Sequence, residues 1–157
     1  MGLLNWLKSR FRRRPRFRWS TQTTNFLALV LRSGLLDKRE VRDALTECWY
    51  EVQASVGSAD EMSVVCNYLI KTGRLTEWQC GKLRSGRLRG FFLDTFKLIG
   101  YIGVEGTCLK FLAEDVGTKR RVVLAILPRS VWLLKDGKPQ YRLEDYPNSP
   151  DSGQSES

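Results

Sequence analysis

Histidine is absent from the 157 residues, and its absence excludes a good deal of chemistry. There is no Ser-His-Asp or Cys-His nucleophile system, no imidazole general base and no histidine metal ligand. Cysteine is sparse. Cys48, Cys66, Cys80 and Cys108 are widely spaced, with no C-x-x-C pair and no histidine to complete a zinc site. They read as reduced, buried thiols acting as small hydrophobes. No metal and no cofactor is expected.

Long apolar runs are missing too. No stretch approaches the roughly 20 apolar residues a membrane-spanning helix needs. The apolar patch from Leu3 to Leu7 is short and precedes the positive charges, the reverse of a secretory signal. The start Met-Gly-Leu-Leu-Asn-Trp lacks the serine or threonine at position 6 expected for myristoylation. These features point to the cytoplasm, with peripheral membrane contact left open to the N-terminal arm.

What is present is charge, unevenly spread. The net charge is +9. Residues 1–20 form a basic arm with Lys8, Arg10, Arg12, Arg13, Arg14, Arg16 and Arg18 and no acid. Residues 145–157 form an acidic tail rich in Ser, Pro, Gly and Asp, expected to be disordered. In the arm, Leu3, Leu7 and Phe11 recur every four residues until Pro15 stops the pattern. Such a segment can lie on an anionic membrane, bind nucleic-acid phosphates and stack Phe11, Phe17 or Trp19 on bases, or remain a solvated or partner-bound tail.

Residues 21–86 read as a helical module with an internal repeat. Val30–Glu40 matches Leu69–Gln79 at a shift of 39. In each copy a helix ends in a basic residue and a glycine, suited to a left-handed C-terminal cap. Capping boxes then open the next helix, Asp37 with Glu40 and Thr76 with Gln79. Ser58 with Glu61 forms a third. The pattern predicts helices near 24–32, 38–54, 59–71 and 77–84, arranged as two hairpins with a small-bundle core. The second copy resembles a DNA-binding helix-turn-helix, yet its short last helix offers only Lys82 and Arg84 at the far end.

From residue 90 to 144 the period changes to that of strands. Phe96–Ile102, Leu109–Ala113, Arg121–Leu127, Val131–Leu134 and Gln140–Leu143 read as five strands, the last two joined across Asp136-Gly137. The fold class is thus α+β, with about four helices as a hairpin pair followed by a five-stranded antiparallel sheet.

The segment Leu98–Pro128 runs Leu-Ile-Gly-Tyr-Ile-Gly-Val-Glu-Gly-Thr-Cys-Leu-Lys-Phe-Leu-Ala-Glu-Asp and later Arg-Arg-Val-Val-Leu-Ala-Ile-Leu-Pro. It resembles the first three strands of the small lobe of eukaryotic-like bacterial serine/threonine kinases. The helical part resembles the region that precedes the kinase domain in some of them, and the likeness spans roughly residues 25–129.

In that family a G-x-G-x-x-G-x-V loop folds over the ATP phosphates. Here Gly103 matches the first glycine, but Glu105 stands at the second, Cys108 at the third and Lys110 at the valine, with Gly106 between motif positions. A carboxylate facing phosphates in a partly dry cleft costs on the order of several kcal/mol. The V-A-I-K lysine falls at Ala125. The nearest alternative cations are Lys110, Arg120 and Arg121, at spacings that give no reason to expect a substitute. No H-R-D loop and no D-F-G metal site follow.

The resemblance therefore implies a truncated, pseudokinase-like chain without catalysis. The expected role is a regulatory or protein-interaction module, with a full-length kinase as a candidate partner. The alternative is a nucleic-acid or anionic-membrane binder acting through the arm, and a nucleotide-binding remnant ranks below both.

Overall fold

The computed structural model describes residues 19–54 and 61–146, and the chain divides into two compact units, Met1–Leu88 and Arg89–Ser157. The first is helical: α1 Thr21–Ser33, α2 Lys38–Glu47, α3 Trp49–Ala54, α4 Glu61–Lys71 and α5 Glu77–Arg84. The second holds β1 Phe92–Leu93, β2 Phe96–Glu105, β3 Cys108–Asp115, β4 Arg121–Ile126, α6 Arg129–Leu133 and β5 Tyr141–Asp145.

The repeat is physical as well as textual. Six positions separated by 39 residues are buried in both copies: Phe26 and Val65, Leu27 and Cys66, Val30 and Leu69, Leu36 and Leu75, Val41 and Cys80, Ala44 and Leu83. Helix α1 packs on α4 and α5, while α4 packs on α1 and α2. That reciprocity is what a two-fold relation between the copies requires. The joints match as well. Gly34 and Gly73 have φ of 78° and 72°, a left-handed conformation glycine adopts without the cost a Cβ would bring. At Gly73 the Arg74 N–H donates to Leu69 O (2.9 Å) and the Gly73 N–H to Ile70 O (3.0 Å), which satisfies two carbonyls left over at the end of α4.

Both expected capping boxes form. Asp37 accepts from the Glu40 N–H and Glu40 from the Asp37 N–H, each at 2.8 Å. Thr76 and Gln79 exchange bonds of 3.2 and 2.9 Å. Of the third, Ser58 lies outside the described residues; the Glu61 carboxylate accepts from the Ser20 N–H at 2.8 Å. This bond joins the start of α1 to the start of α4. The span expected as one helix over 38–54 is broken at Cys48, which takes φ −80° and ψ 0° between α2 and α3. Trp19 and Ser20, read from sequence as the end of the arm, belong to the fold. Trp19 is buried edge-on to Trp49 with ring centroids 6.4 Å apart, and Ser20 caps α1.

The sheet has the strand order β1-β2-β3-β4-β5, all neighbours antiparallel. It curls enough for the Tyr141 hydroxyl on β5 to donate to Asp94, in the β1–β2 turn, at 2.7 Å, and for its ring to meet Phe96 edge-on. The expected strand Val131–Leu134 is corrected: this segment is helix α6 and its C-terminal cap, with Leu133 and Leu134 exposed. A short apolar run has no periodicity to separate helix from strand, and Pro128 precedes the first turn with no N–H of its own to satisfy. Asp136-Gly137 does adopt the left-handed pair expected of a tight turn, with φ of 59° and 69°. It closes onto Trp132 O through the Gly137 N–H and links α6 to the approach of β5. The fifth strand is β1, joined to β2 through Asp94-Thr95 with Asp94 at φ 50°. Asp145, read as the first residue of the tail, ends β5.

Candidate functional site

Strand register places the residues singled out in the sequence. In an antiparallel sheet, directly opposed residues project to the same face. Gly103, Lys110, Ala125 and Arg142 form one row across four strands, and Glu105 opposes Cys108 one step along. Gly103, Glu105, Cys108, Lys110 and Ala125 therefore share one face, the polar face. Gly106 sits in the β2–β3 turn at φ 61°.

Lys110 is the central cation of that face, and its charge is already committed. Its ammonium pairs with Glu105 across the β2–β3 ladder and with Glu144 of β5 at 2.8 Å. To reach Glu144 it crosses β4, and Ala125 is what lets it cross. Ala125 stands directly between Lys110 and Arg142 and is fully buried; any longer side chain there would occupy the path. Arg142 spans the same strand in the opposite sense and brings a guanidinium nitrogen 3.9 Å from Cys108 Sγ. Alanine at position 125 thus has a structural use.

This network has consequences for anions. The Lys110 side chain is 19% exposed, and its carboxylate partners are more open, 68% for Glu105 and 38% for Glu144. A phosphate arriving here would meet two carboxylates before the one ammonium they hold. At the other end of the polar face the balance reverses. Lys97, Glu114 and Arg121 form a second row, and Lys119 also approaches Glu114. Arg120, next along, is exposed.

The opposite face is apolar. Tyr101, Phe111, Leu124 and Leu143 form one row, and Val104, Leu109, Ile126 and Tyr141 the next. Tyr101 and Phe111 touch with centroids 5.3 Å apart. Leu124 is fully buried, yet Tyr101, Val104, Leu109 and Leu143 are 44–62% exposed.

Lys8, Arg10, Arg12, Arg13, Arg14, Arg16 and Arg18 lie outside the described residues. Among the described residues no group of three or more potential metal ligands occurs, and no helix is long and apolar enough to cross a membrane. All four cysteines are free and buried. The Cys48 thiol is pushed up to about 11, first by burial and then by Glu51. Cys66 and Cys80 lie thiol to thiol, and the bond between them raises Cys80 and lowers Cys66.

Sequence reading misses Glu144, Arg142, Lys97 and Glu114. Their period-two placement is visible, but which strand faces which depends on register. Two irregularities in β2, at Leu98/Gly100 and Tyr101/Gly103, reset that register. No protein-family model matches this chain, and neither the curated proteins nor the solved structures contain a match.

Proposed function

We propose that this chain is a non-catalytic protein-binding module, with the apolar sheet face as its contact surface. One observation carries the reading: Tyr101, Val104, Leu109 and Leu143 stand together on one side of the sheet, each about half exposed. Large exposed apolar side chains gathered on one surface mark interaction sites more often than isolated ones do. The polar face supports the same reading from the other direction. Lys110 is held by Glu105 and Glu144, and an alanine, Ala125, stands where the kinase likeness would put its phosphate-pairing lysine. The likeness to bacterial serine/threonine kinases supplies the candidate partner, a full-length kinase of that kind.

The test is affinity capture at near-native expression, comparing the natural chain with Val104→Asp/Leu109→Asp. A partner retained by the natural chain and lost by the variant is expected. Capture of the same partner by both would end the proposal. Thermal shift with millimolar ATP and magnesium is a parallel check, because a ligand specific for the folded state must raise the melting temperature. No shift is expected, and a rise of several degrees would restore the nucleotide-binding reading.

A further inference from the structure

The end of the polar face farthest from Lys110 concentrates positive charge, bringing Lys97 of β2 beside the run Lys119-Arg120-Arg121. Lys97 on β2, Glu114 on β3 and Arg121 on β4 lie side by side in one row. Lys119, from the β3–β4 turn, reaches the same group. The ammonium groups of Lys97 and Lys119 stand 3.9 and 4.0 Å from one and the same oxygen, Glu114 Oε1. Both distances exceed hydrogen-bond length, so neither cation is closely satisfied by it. Three cations from two strands and a turn thus surround one carboxylate, and Arg121 is exposed.

The next acid along the chain is already engaged. Asp115 Oδ1 accepts from the backbone N–H groups of Gly117 and Thr118 at 2.8 and 2.9 Å. Those bonds fix the turn and present Lys119 beside the row. They also occupy the turn's own N–H groups, so an incoming anion would be held by side-chain cations alone. Val116, in the same turn, is 47% exposed and places an apolar surface next to the charges.

We infer that Lys97, Lys119 and Arg121 form a binding site for an acidic side chain of a protein partner, a carboxylate or a phosphorylated hydroxyl, with Val116 as its apolar neighbour. The inference rests on the protein-binding reading and goes beyond it, adding a second contact on the opposite, polar face and the chemistry of what is bound there. Two features favour a peptide over a nucleic acid. Glu114 at the centre of the row repels a dense run of phosphodiesters more strongly than a single anion met by the flanking cations. The exposed valine suits an apolar side chain beside that anion.

The experiment titrates the full chain with a fluorescein-labelled Gly/Ser peptide carrying one glutamate next to a leucine, at about 0.15 M salt, where surface charges farther apart than a Debye length are screened, and with the same peptide carrying phosphoserine in place of the glutamate. Binding is followed by anisotropy and by amide chemical shifts. Expected are shifts centred on Lys97, Glu114, Lys119 and Arg121. Affinity should fall at least about fivefold in Lys97→Gln/Arg121→Gln and be largely restored in the charge-keeping Lys97→Arg/Arg121→Lys. The Arg12→Ala/Arg13→Ala/Arg14→Ala chain separates this site from the arm and should keep the localised shifts. Unchanged affinity in the glutamine variant, or shifts that avoid this row, would overturn the inference. So would a single-stranded oligonucleotide that binds the row more tightly than either peptide. If the inference fails while capture through Val104 and Leu109 persists, the protein-binding reading stands without it.

Discussion

Single residues here are best understood by what their neighbours oblige them to be. Ala125 is the clearest case, since its smallness serves Lys110 and Arg142, which pass over it. Ala125→Leu should therefore cost about 1–3 kcal/mol through overpacking at a fully buried site, measurable by urea denaturation. It should also free Lys110 from Glu144. The buried thiols make a second prediction. With Cys48 raised to about 11, its thiolate is scarce at mildly alkaline pH, and the thiolate is the reactive form. Modification of the folded chain by an aromatic disulfide reagent should be slow and should accelerate sharply in denaturant. Rapid labelling of Cys48 in the native state would contradict its burial.

Asp115 gives a pH dependence. Bonds from the Thr118 and Gly117 N–H groups hold its carboxyl below the usual aspartate range. A folded value below the unfolded one contributes stability that is present above the unfolded pKa, near about 4, and is lost as pH falls through the lowered folded value. Asp115→Asn should thus be less stable than the natural chain at neutral pH, with the gap closing as the solution is acidified below the ordinary aspartate range.

At the scale of elements, the helices are legible in the sequence because each carries its own punctuation. The two glycine caps and the boxes at Asp37/Glu40 and Thr76/Gln79 are local signals, and local signals need no tertiary context. Asp37→Ala and Thr76→Ala should each cost about 1 kcal/mol, and by similar amounts if the two copies are energetically equivalent. Gly73→Ala should cost about 1 kcal/mol for the left-handed backbone alone, since a Cβ there meets nothing within 4 Å. Thermal or chemical denaturation reads all three.

The strands are legible only in part. Phe96–Ile102, Leu109–Ala113 and Arg121–Leu127 stand out as β-branched and aromatic runs, and each lies largely within a strand. Val131–Leu134 reads as a strand because four apolar residues fit either structure, and the exposure of Leu133 and Leu134 is a tertiary fact. The two-residue β1 is too short to leave a pattern. The candidate site is less legible than the fold. Lys110 and Ala125 draw notice for what they lack, while their actual partners, Glu144 and Arg142, lie 34 and 17 residues further along and meet them only through register.

For the whole molecule, charge is what distinguishes the competing functions. Removing residues 1–18 deletes all seven arm cations. If the arm binds nucleic acid or anionic lipid, that deletion should abolish retention on a polyanion column and flatten the salt dependence of binding. If the sheet faces bind a protein, partner capture should survive the deletion. The two results are independent, so one preparation serves both.

The matched burial of the two helical copies carries a consequence for assembly. A hairpin of α1 and α2 meets, in the α4–α5 hairpin, a surface built on its own pattern. The same surface exists on every other molecule of the chain. Hairpins can therefore trade places between two molecules while each helix keeps an equivalent neighbour, as in domain swapping. At high concentration, or during refolding from denaturant, this chain should form interlocked dimers, seen as a second peak in size exclusion, whose helix packing is indistinguishable from that of the monomer.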